Sequence, residues 1–349
     1  IGAYFNIFYP EIPVVAIAIF SYILFTALNI YGVKAAAAFE LLITILLLLG
    51  VSIIIFSILH MAPGDPLHIF INIQTQNPDE IAAIKKELGL DRWLPLQYLS
   101  WLNNILHGNF GNSFRTGRPV FNELIGVSLY TLILTIGSMI VTLLISVPIA
   151  IFSSLRRHPV LSWGLTLLAY IFSALPVFWL GYIVIYIFTH KFNLFPFLSA
   201  GYAGTAKFNF LYFLLPIIVL GVGNGAISEI IRHLNAQLER VLSEDYIKAA
   251  KAKGASIWRH SFKEGMLIPV TTMVAAKIPF ILGGAVIVEQ VFNWPGMGRL
   301  AWQAALDRDY PIIMGITIFA AFFVHIGRFL QTIVYLFVDP QITAKGEEA

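Results

Sequence analysis

The chain has 349 residues, of which 58% are hydrophobic and 12% charged, with a formal charge of +3 and a mean hydropathy of +0.80. Soluble domains carry about 25% charged and about 45–50% apolar residues, so the composition excludes a water-soluble globular protein and describes a polytopic membrane protein. The charge is too small to imply nucleic acid as a partner, and the absence of cysteine excludes disulfides, thiolate catalysis and cysteine-ligated metals.

Spans are marked by charge-free intervals, because ionised groups are costly in hydrocarbon. These run between Glu11 and Lys34, Glu40 and Asp65, Glu123 and Arg156, Arg157 and Lys191, Lys207 and Glu229, and Asp309 and Arg328. A further stretch, Ile268 to Ile287, is interrupted only by Lys277. At roughly 20 residues per spanning helix, the chain is an all-α membrane protein with six core spans plus an extra N-terminal helix near residues 12–33.

The longest polar segment, residues 65–123, carries Asp79, Glu80, Lys85, Lys86, Glu87, Asp91 and Arg92 beside Trp93 and Trp101. It reads as an extramembrane subdomain on the interface, and DEIAAIKKELGL within it predicts a short amphipathic helix closed by Gly89. Arg156 and Arg157 fall in one loop, and Arg232, Arg240, Lys248, Lys251, Lys253, Arg259 and Lys263 in another. The positive-inside rule makes both loops cytoplasmic and the 65–123 segment external.

The eight histidines include no pair at the i, i+4 spacing of a helical zinc site. The chain contains no G-x-x-x-x-G-K-[ST], G-x-S-x-G or H-E-x-x-H motif. It therefore has no ATPase or common hydrolase site of its own, and uphill work must draw on a partner or an ion gradient. The most informative segment is RVLSEDYIKAAKAKGASIWRHSFKEGMLIP, Arg240 to Pro269. Ser243, Glu244 and Asp245 suit a helix N-terminus, Ala249, Ala250 and Ala252 offer small side chains, and Gly254 permits a corner. A second short helix through Trp258 to Met266 follows. A solvated linker is the plain reading; two helices at a glycine corner also make a docking knob.

Five blocks in order resemble the membrane-spanning permeases of ATP-binding-cassette (ABC) importers of the dipeptide, oligopeptide and nickel class. They are LLGVSIIIFSILHMAPGDP at Leu48, ELGLDRWLPLQYLSWLNNILHGNFGNSFRTGRPV at Glu87, EDYIKAAKAKGAS at Glu244, GGAVIVEQVFNWPGMGRLAWQAALDRDYPIIMG at Gly283 and VDPQI at Val338. The resemblance implies a type I ABC importer transmembrane fold over residues 41–342, with a subdomain at 65–123, a cytoplasmic coupling loop at 233–266 and a tail at 343–349. It also implies a second permease, two ATPases that bind ATP and Mg, an extracytoplasmic solute-binding protein, and a multi-pass location in the cell's inner membrane.

Peptides are the expected cargo, with nickel chelates or oligosaccharides as alternatives. Residues 1–40 do not match this pattern; Ala27 to Gly50 weakly resembles a secondary amino-acid permease, which keeps a gradient-driven carrier as a further alternative. The interval Gly254 to Pro269 is a few residues shorter than the family pattern.

Within this reading, Glu244, Asp245, Tyr246, Ala249, Ala250, Lys253 and Gly254 are the residues expected to dock on an ATPase. For the passage, intramembrane ionisable groups are the default candidates: Lys277 in mid-span, Glu289 at the outer end of the same span, and Glu229 at the end of the preceding one. Trp294, at the break Trp294-Pro295-Gly296, joins them through the resemblance. Pro148, Pro176, Pro216 and Pro279 lie within spans and are expected to kink them.

Overall fold

A computed structural model of the chain describes residues 19, 33–61, 82–83, 85–86, 89–154, 159–191, 210–223, 225–254 and 267–338. Apart from residues 19 and 33, the expected N-terminal helix at 12–33 lies outside the described residues, as do the second coupling helix at 258–266 and the tail at 343–349. The chain divides into two compact units, residues 1–54 with 340–349, and residues 55–339.

Helix α1 (Val33–Met61) begins in the smaller unit and runs on into the larger one. From Leu42 to Met61 its side chains are mostly apolar, and Leu42, Leu46, Leu47, Ile54 and Ile58 are exposed. Such a stretch is suited to lipid rather than water. Ser52 hides its hydroxyl by donating to the Leu49 carbonyl at 2.9 Å.

Before α2 (Leu94–Leu106) the chain turns at Gly89, whose φ is +69°. Gly89 N–H donates to the Lys86 carbonyl at 3.1 Å and Leu90 N–H to the Lys85 carbonyl at 2.9 Å. This paired pattern is a Schellman C-cap, the helix stop expected at Gly89.

Helix α3 (Val120–Ser154) is the longest, at 35 residues. At 1.5 Å per residue it measures about 52 Å, longer than a hydrocarbon core of about 30 Å. Ser128, Thr131, Thr135, Ser138, Thr142 and Ser146 are all buried on it. Their spacing of three and four residues puts them on one face, and hydroxyl-bearing small side chains there let neighbouring helices approach closely. At Gly221 of the facing helix a Cβ would lie 2.8 Å from the Ser138 carbonyl oxygen. Thr142 Oγ1 donates to the Gly221 carbonyl at 2.7 Å.

The apolar interval between Arg157 and Lys191 is two helices, α4 (Pro159–Ala174) and α5 (Val177–His190), which meet at 100°. Pro176 caps α5 with φ −59° and ψ 131°, an extended geometry that ends one helix and redirects the chain. The interval ending at Glu229 is likewise divided. The apolar α6 (Phe210–Gly223) gives way at Gly225, φ +77°, to α7 (Ala226–Ser243), with a bend of 52°. Pro148, by contrast, sits inside the continuous α3 and Pro216 inside α6.

The chain then forms α8 (Asp245–Ala252), α9 (Ile268–Val291), α10 (Met297–Asp307) and α11 (Tyr310–Val338). Among the described residues three helices are long and apolar enough to cross a membrane, or up to five if each bent pair is one span. The core of the larger unit gathers Leu134, Leu180, Leu215, Leu220, Val288 and Trp294 from α3, α5, α6, α9 and the turn after α9.

Candidate functional site

Helix α7 buries Ala226, Ile227, Ile230, Ile231, Leu234, Leu238 and Val241, a stripe at helical spacing, and exposes Arg232, Glu239 and Arg240 on the other side. Ala226, Ile230 and Leu234 pack with Ala150 of α3 and Met273 of α9. The Ser154 hydroxyl donates to Asn235 Oδ1 at 3.1 Å. The coupling loop expected from residue 233 therefore starts inside a helix already anchored to α3 and α9.

At the end of α7, Glu244 is extended, with φ −66° and ψ 147°. Its carbonyl accepts the N–H groups of Ile247 at 3.1 Å and Lys248 at 3.2 Å, so it closes α7 and opens α8. Asp245 stands in the first turn of α8 and is fully exposed. The Lys248 ammonium, hydrogen-bonded to it at 2.9 Å, holds its carboxyl below the ordinary carboxylate range. Ile247 and Ala250 turn inward, whereas Tyr246, Ala249, Lys253 and Gly254 are exposed. Gly254 has φ +72° and open space around the position of a Cβ. Of the seven residues expected to dock, Ala250 alone is buried by its own chain; the other six form an exposed projection at the end of a rigid helix.

The second cluster is at the opposite end of α9. Glu289 is completely buried. Its Oε1 accepts from Thr131 Oγ1 at 2.7 Å and its Oε2 from Arg299 N–H at 2.9 Å, with Gly298 N–H a further donor. Thr131 Oγ1 in turn accepts Met297 N–H at 2.8 Å. Met297, Gly298 and Arg299 are the opening residues of α10, whose own N-cap, Gly296, has no side chain to offer. A carboxylate from a different helix thus satisfies the free N–H groups and complements the dipole of α10.

The glycines make this cap possible. A Cβ at Gly296 would lie 2.2 Å from Glu289 Oε1, and one at Gly298 would lie 2.5 Å from Val286 Cα. Trp294, also fully buried, donates through Nε1 to the Tyr130 carbonyl at 3.1 Å and stacks edge-on against Phe213, centroids 5.1 Å apart. Glu289 and Trp294, both passage candidates by sequence, are brought together inside the chain's own core. Glu229, partly buried, lies in the first turn of α7, far along the chain from that cluster. Lys277 lies within α9, and its side chain is outside the described residues.

Three contributors escaped the sequence reading. Thr131 bridges Glu289 and α10. Asp309, 2% exposed, accepts the hydroxyl of Ser113 and the N–H groups of Phe114 at 3.1 Å and Arg115 at 3.2 Å, which pins the 109–119 turn to the start of α11. Arg115 adds an ion pair to Asp307 at 3.3 Å. The available signal was the hydroxyl stripe of α3 and the pairing of a charged turn, SFRTGR, with a second one, DRDYP.

The family model for the binding-protein-dependent transport system inner membrane component matches residues 146–344. The model for the N-terminal part of such membrane components matches residues 40–135. The oligopeptide transport system permease protein AppB of Bacillus subtilis is 38% identical over 312 residues, covering 86% of this chain and 96% of that protein. The glutathione transport system permease protein GsiC of Salmonella choleraesuis is 33% identical over 307 residues, covering 85% of this chain and 95% of that protein. With spanning helices and matches to residues 40–135 and 146–344, the chain belongs to the binding-protein-dependent transport system inner membrane components, multi-pass permeases of the type I ABC importer fold.

Proposed function

We propose that this permease forms half of a peptide translocation pathway and is driven by two partner ATPases that dock on α8. The observation that carries the coupling role is the contrast within α7–α8. One face of α7 is locked to α3 and α9, while Tyr246, Ala249, Lys253 and Gly254 just beyond it are exposed. A helix so anchored transmits a push at its end as a rigid lever.

In this reading ATP and Mg bind only in the ATPases, whose closure shifts the α7–α8 projection. The shift passes to α3 and α9 and changes access to the pathway between this chain and a second permease. Gly225, at φ +77°, joins α6 to this lever and gives the chain its bend. A solute-binding protein outside delivers the cargo, and peptide is favoured because the named relatives AppB and GsiC are an oligopeptide and a glutathione permease.

The test is purification through a C-terminal tag from gently solubilised native membranes, followed by uptake of labelled di- and oligopeptides into vesicles holding the recovered complex. Co-purification of a second permease, two ATPases and a binding protein, with ATP-dependent peptide uptake, is the expected outcome. Recovery without any nucleotide-binding partner overturns the coupling role. Uptake of nickel chelates or oligosaccharides in place of peptides overturns the cargo.

A further inference from the structure

A cavity of about 410 Å³ lies where α1 ends and α11 begins. Phe56, His60, Arg92, Trp101, Asn104 and Tyr310 are among the residues that line it. The apolar span of α1 ends at Met61, one residue after His60, and that of α11 starts at Tyr310. The two are tied together there, since Tyr310 Oη donates to the Leu59 carbonyl at 3.0 Å and its ring stands 4.9 Å from that of His60. The cavity is therefore at the level of a membrane surface.

Helix α2 bounds it and is built like an interfacial helix. Tyr98 and Trp101 turn toward one another, with ring centroids 5.7 Å apart, and Tyr98 meets Phe56 at 5.5 Å. Trp93, Leu94, Leu96, Leu99 and Leu106 are exposed around the same helix. Exposed leucine and tryptophan beside the end of a span suit the headgroup boundary of a bilayer.

Two buried polar atoms of this wall lack partners among the described residues, and an exposed guanidinium, Arg92, stands beside them. Trp101 Nε1 is buried with no acceptor, and His60 Nε2 is buried with no partner. His60 Nδ1 donates to the Phe56 carbonyl at 2.8 Å, which in the imidazole form leaves Nε2 as an acceptor. Arg92 has no carboxylate within reach among the described residues. Buried polar groups are nearly always hydrogen-bonded, and the space is many times the roughly 30 Å³ of one water. An occupant that meets the two buried demands and also pairs with the exposed Arg92 carries an anionic oxygen for Trp101 and Arg92 and a hydroxyl for His60.

We propose that this cavity binds the headgroup of an anionic phospholipid, with its phosphate on Arg92 and Trp101 Nε1 and a headgroup hydroxyl on His60 Nε2. Free phosphoesters share that chemistry; the exposed apolar side chains of α2 favour the lipid, because acyl chains can lie along them. Such a lipid brace joins α1, α2 and α11 at one membrane face. The inference needs only the membrane location and is independent of cargo and of ATPase docking.

The test uses the complex that carries the full chain, transferred to nanodiscs of phosphatidylcholine alone or of an equal mixture with phosphatidylglycerol, with retained lipid identified by native mass spectrometry. Wild type is expected to retain phosphatidylglycerol over phosphatidylcholine. Trp101→Phe and Arg92→Gln are each expected to lower that preference about tenfold, the factor for one strong hydrogen bond. Arg92 is exposed, so Arg92→Gln serves as a folded variant even where Trp101→Phe does not assemble. Equal retention of the two lipids, or retention unchanged in the folded variant, overturns the proposal. Displacement of the lipid by soluble glycerol phosphate at matched concentration also overturns it and assigns the cavity to a soluble phosphoester.

Discussion

Thr131 and Glu289, 158 residues apart in sequence, meet through a 2.7 Å hydrogen bond in the interior of the larger unit. The threonine hydroxyl donates a hydrogen bond to the carboxylate and accepts one from Met297 N–H, so one side chain of α3 and one of α9 together open α10. The break in the chain after α9 is thereby closed by side chains from α3 and α9.

Replacing Glu289 by Gln substitutes an amide for one carboxylate oxygen, and its NH2 group then opposes the N–H of Arg299 or the hydroxyl of Thr131. The loss expected is about 1–3 kcal/mol, the cost of leaving a buried polar group unmatched. A lower midpoint in thermal unfolding of the detergent-solubilised protein reads this, and an unchanged midpoint contradicts the capping role.

Gly296→Ala and Gly298→Ala insert a Cβ where 2.2 Å and 2.5 Å are available. Both variants are expected to accumulate poorly in the membrane. Gly126→Ala in α3 has nothing within 4 Å of its Cβ and is the matched control. Its expected effect is a gain of about 0.5–1 kcal/mol from helix propensity. Membrane expression levels and unfolding midpoints compare the three.

Gly254 separates docking from stability. Its φ of +72° makes any side chain strained, at about 1–2 kcal/mol, but the space around it is open. Gly254→Ala and Gly254→Trp should therefore share that modest destabilisation. Only the tryptophan should abolish co-purification of the ATPases and ATP-driven uptake. Equal coupling in the two variants excludes close approach at this corner.

The Asp245–Lys248 pair fixes a pH dependence by sign. The carboxyl is held below its ordinary range in the folded chain, so its contribution is present at neutral pH and disappears as pH falls through the folded value. The pair is exposed, and screening keeps its contribution to stability small. Lys248→Ala should raise the Asp245 titration midpoint, seen by carbon NMR of a labelled carboxyl, and leave the neutral-pH unfolding midpoint unchanged.

Asp309 collects Ser113 and two backbone N–H groups from a turn nearly two hundred residues earlier. Asp309→Asn replaces an acceptor by a donor facing donors. It should cost about 1–3 kcal/mol and loosen the 109–119 turn, read as faster amide hydrogen exchange at Phe114 and Arg115.

The comparison of sequence with structure divides along a physical line. Charge-free intervals located the long apolar helices α1, α3 and α11 because lipid forbids ions wherever they fall in the fold. They overran at two places. Between Arg157 and Lys191 the chain is apolar throughout, yet Pro176 ends a helix at 100°, and the interval closing at Glu229 passes Gly225 without any change of charge. Apolarity reports the solvent, and proline and glycine report the backbone; the second signal was read as a mild kink in one case and missed in the other.

Glu289 carries the same lesson. A carboxylate near the end of a span is costly, and the sequence marks it as special without saying whether its partner is a passing solute or the protein itself. That choice depends on Thr131 and the N–H groups of Met297, Gly298 and Arg299, which folding alone brings to it. Ala250 and Ala249 are adjacent and chemically identical, and only the packing of α8 buries the one and exposes the other.

What the residues determined by themselves is the membrane class, the helical architecture and the stop at Gly89, because each follows from solvation or from local backbone preference. What tertiary structure decided is every relationship between distant segments. The cap on α10 and the clamp at Asp309 exist because packed helices place complementary groups within about 3 Å, the short range over which hydrogen bonds act.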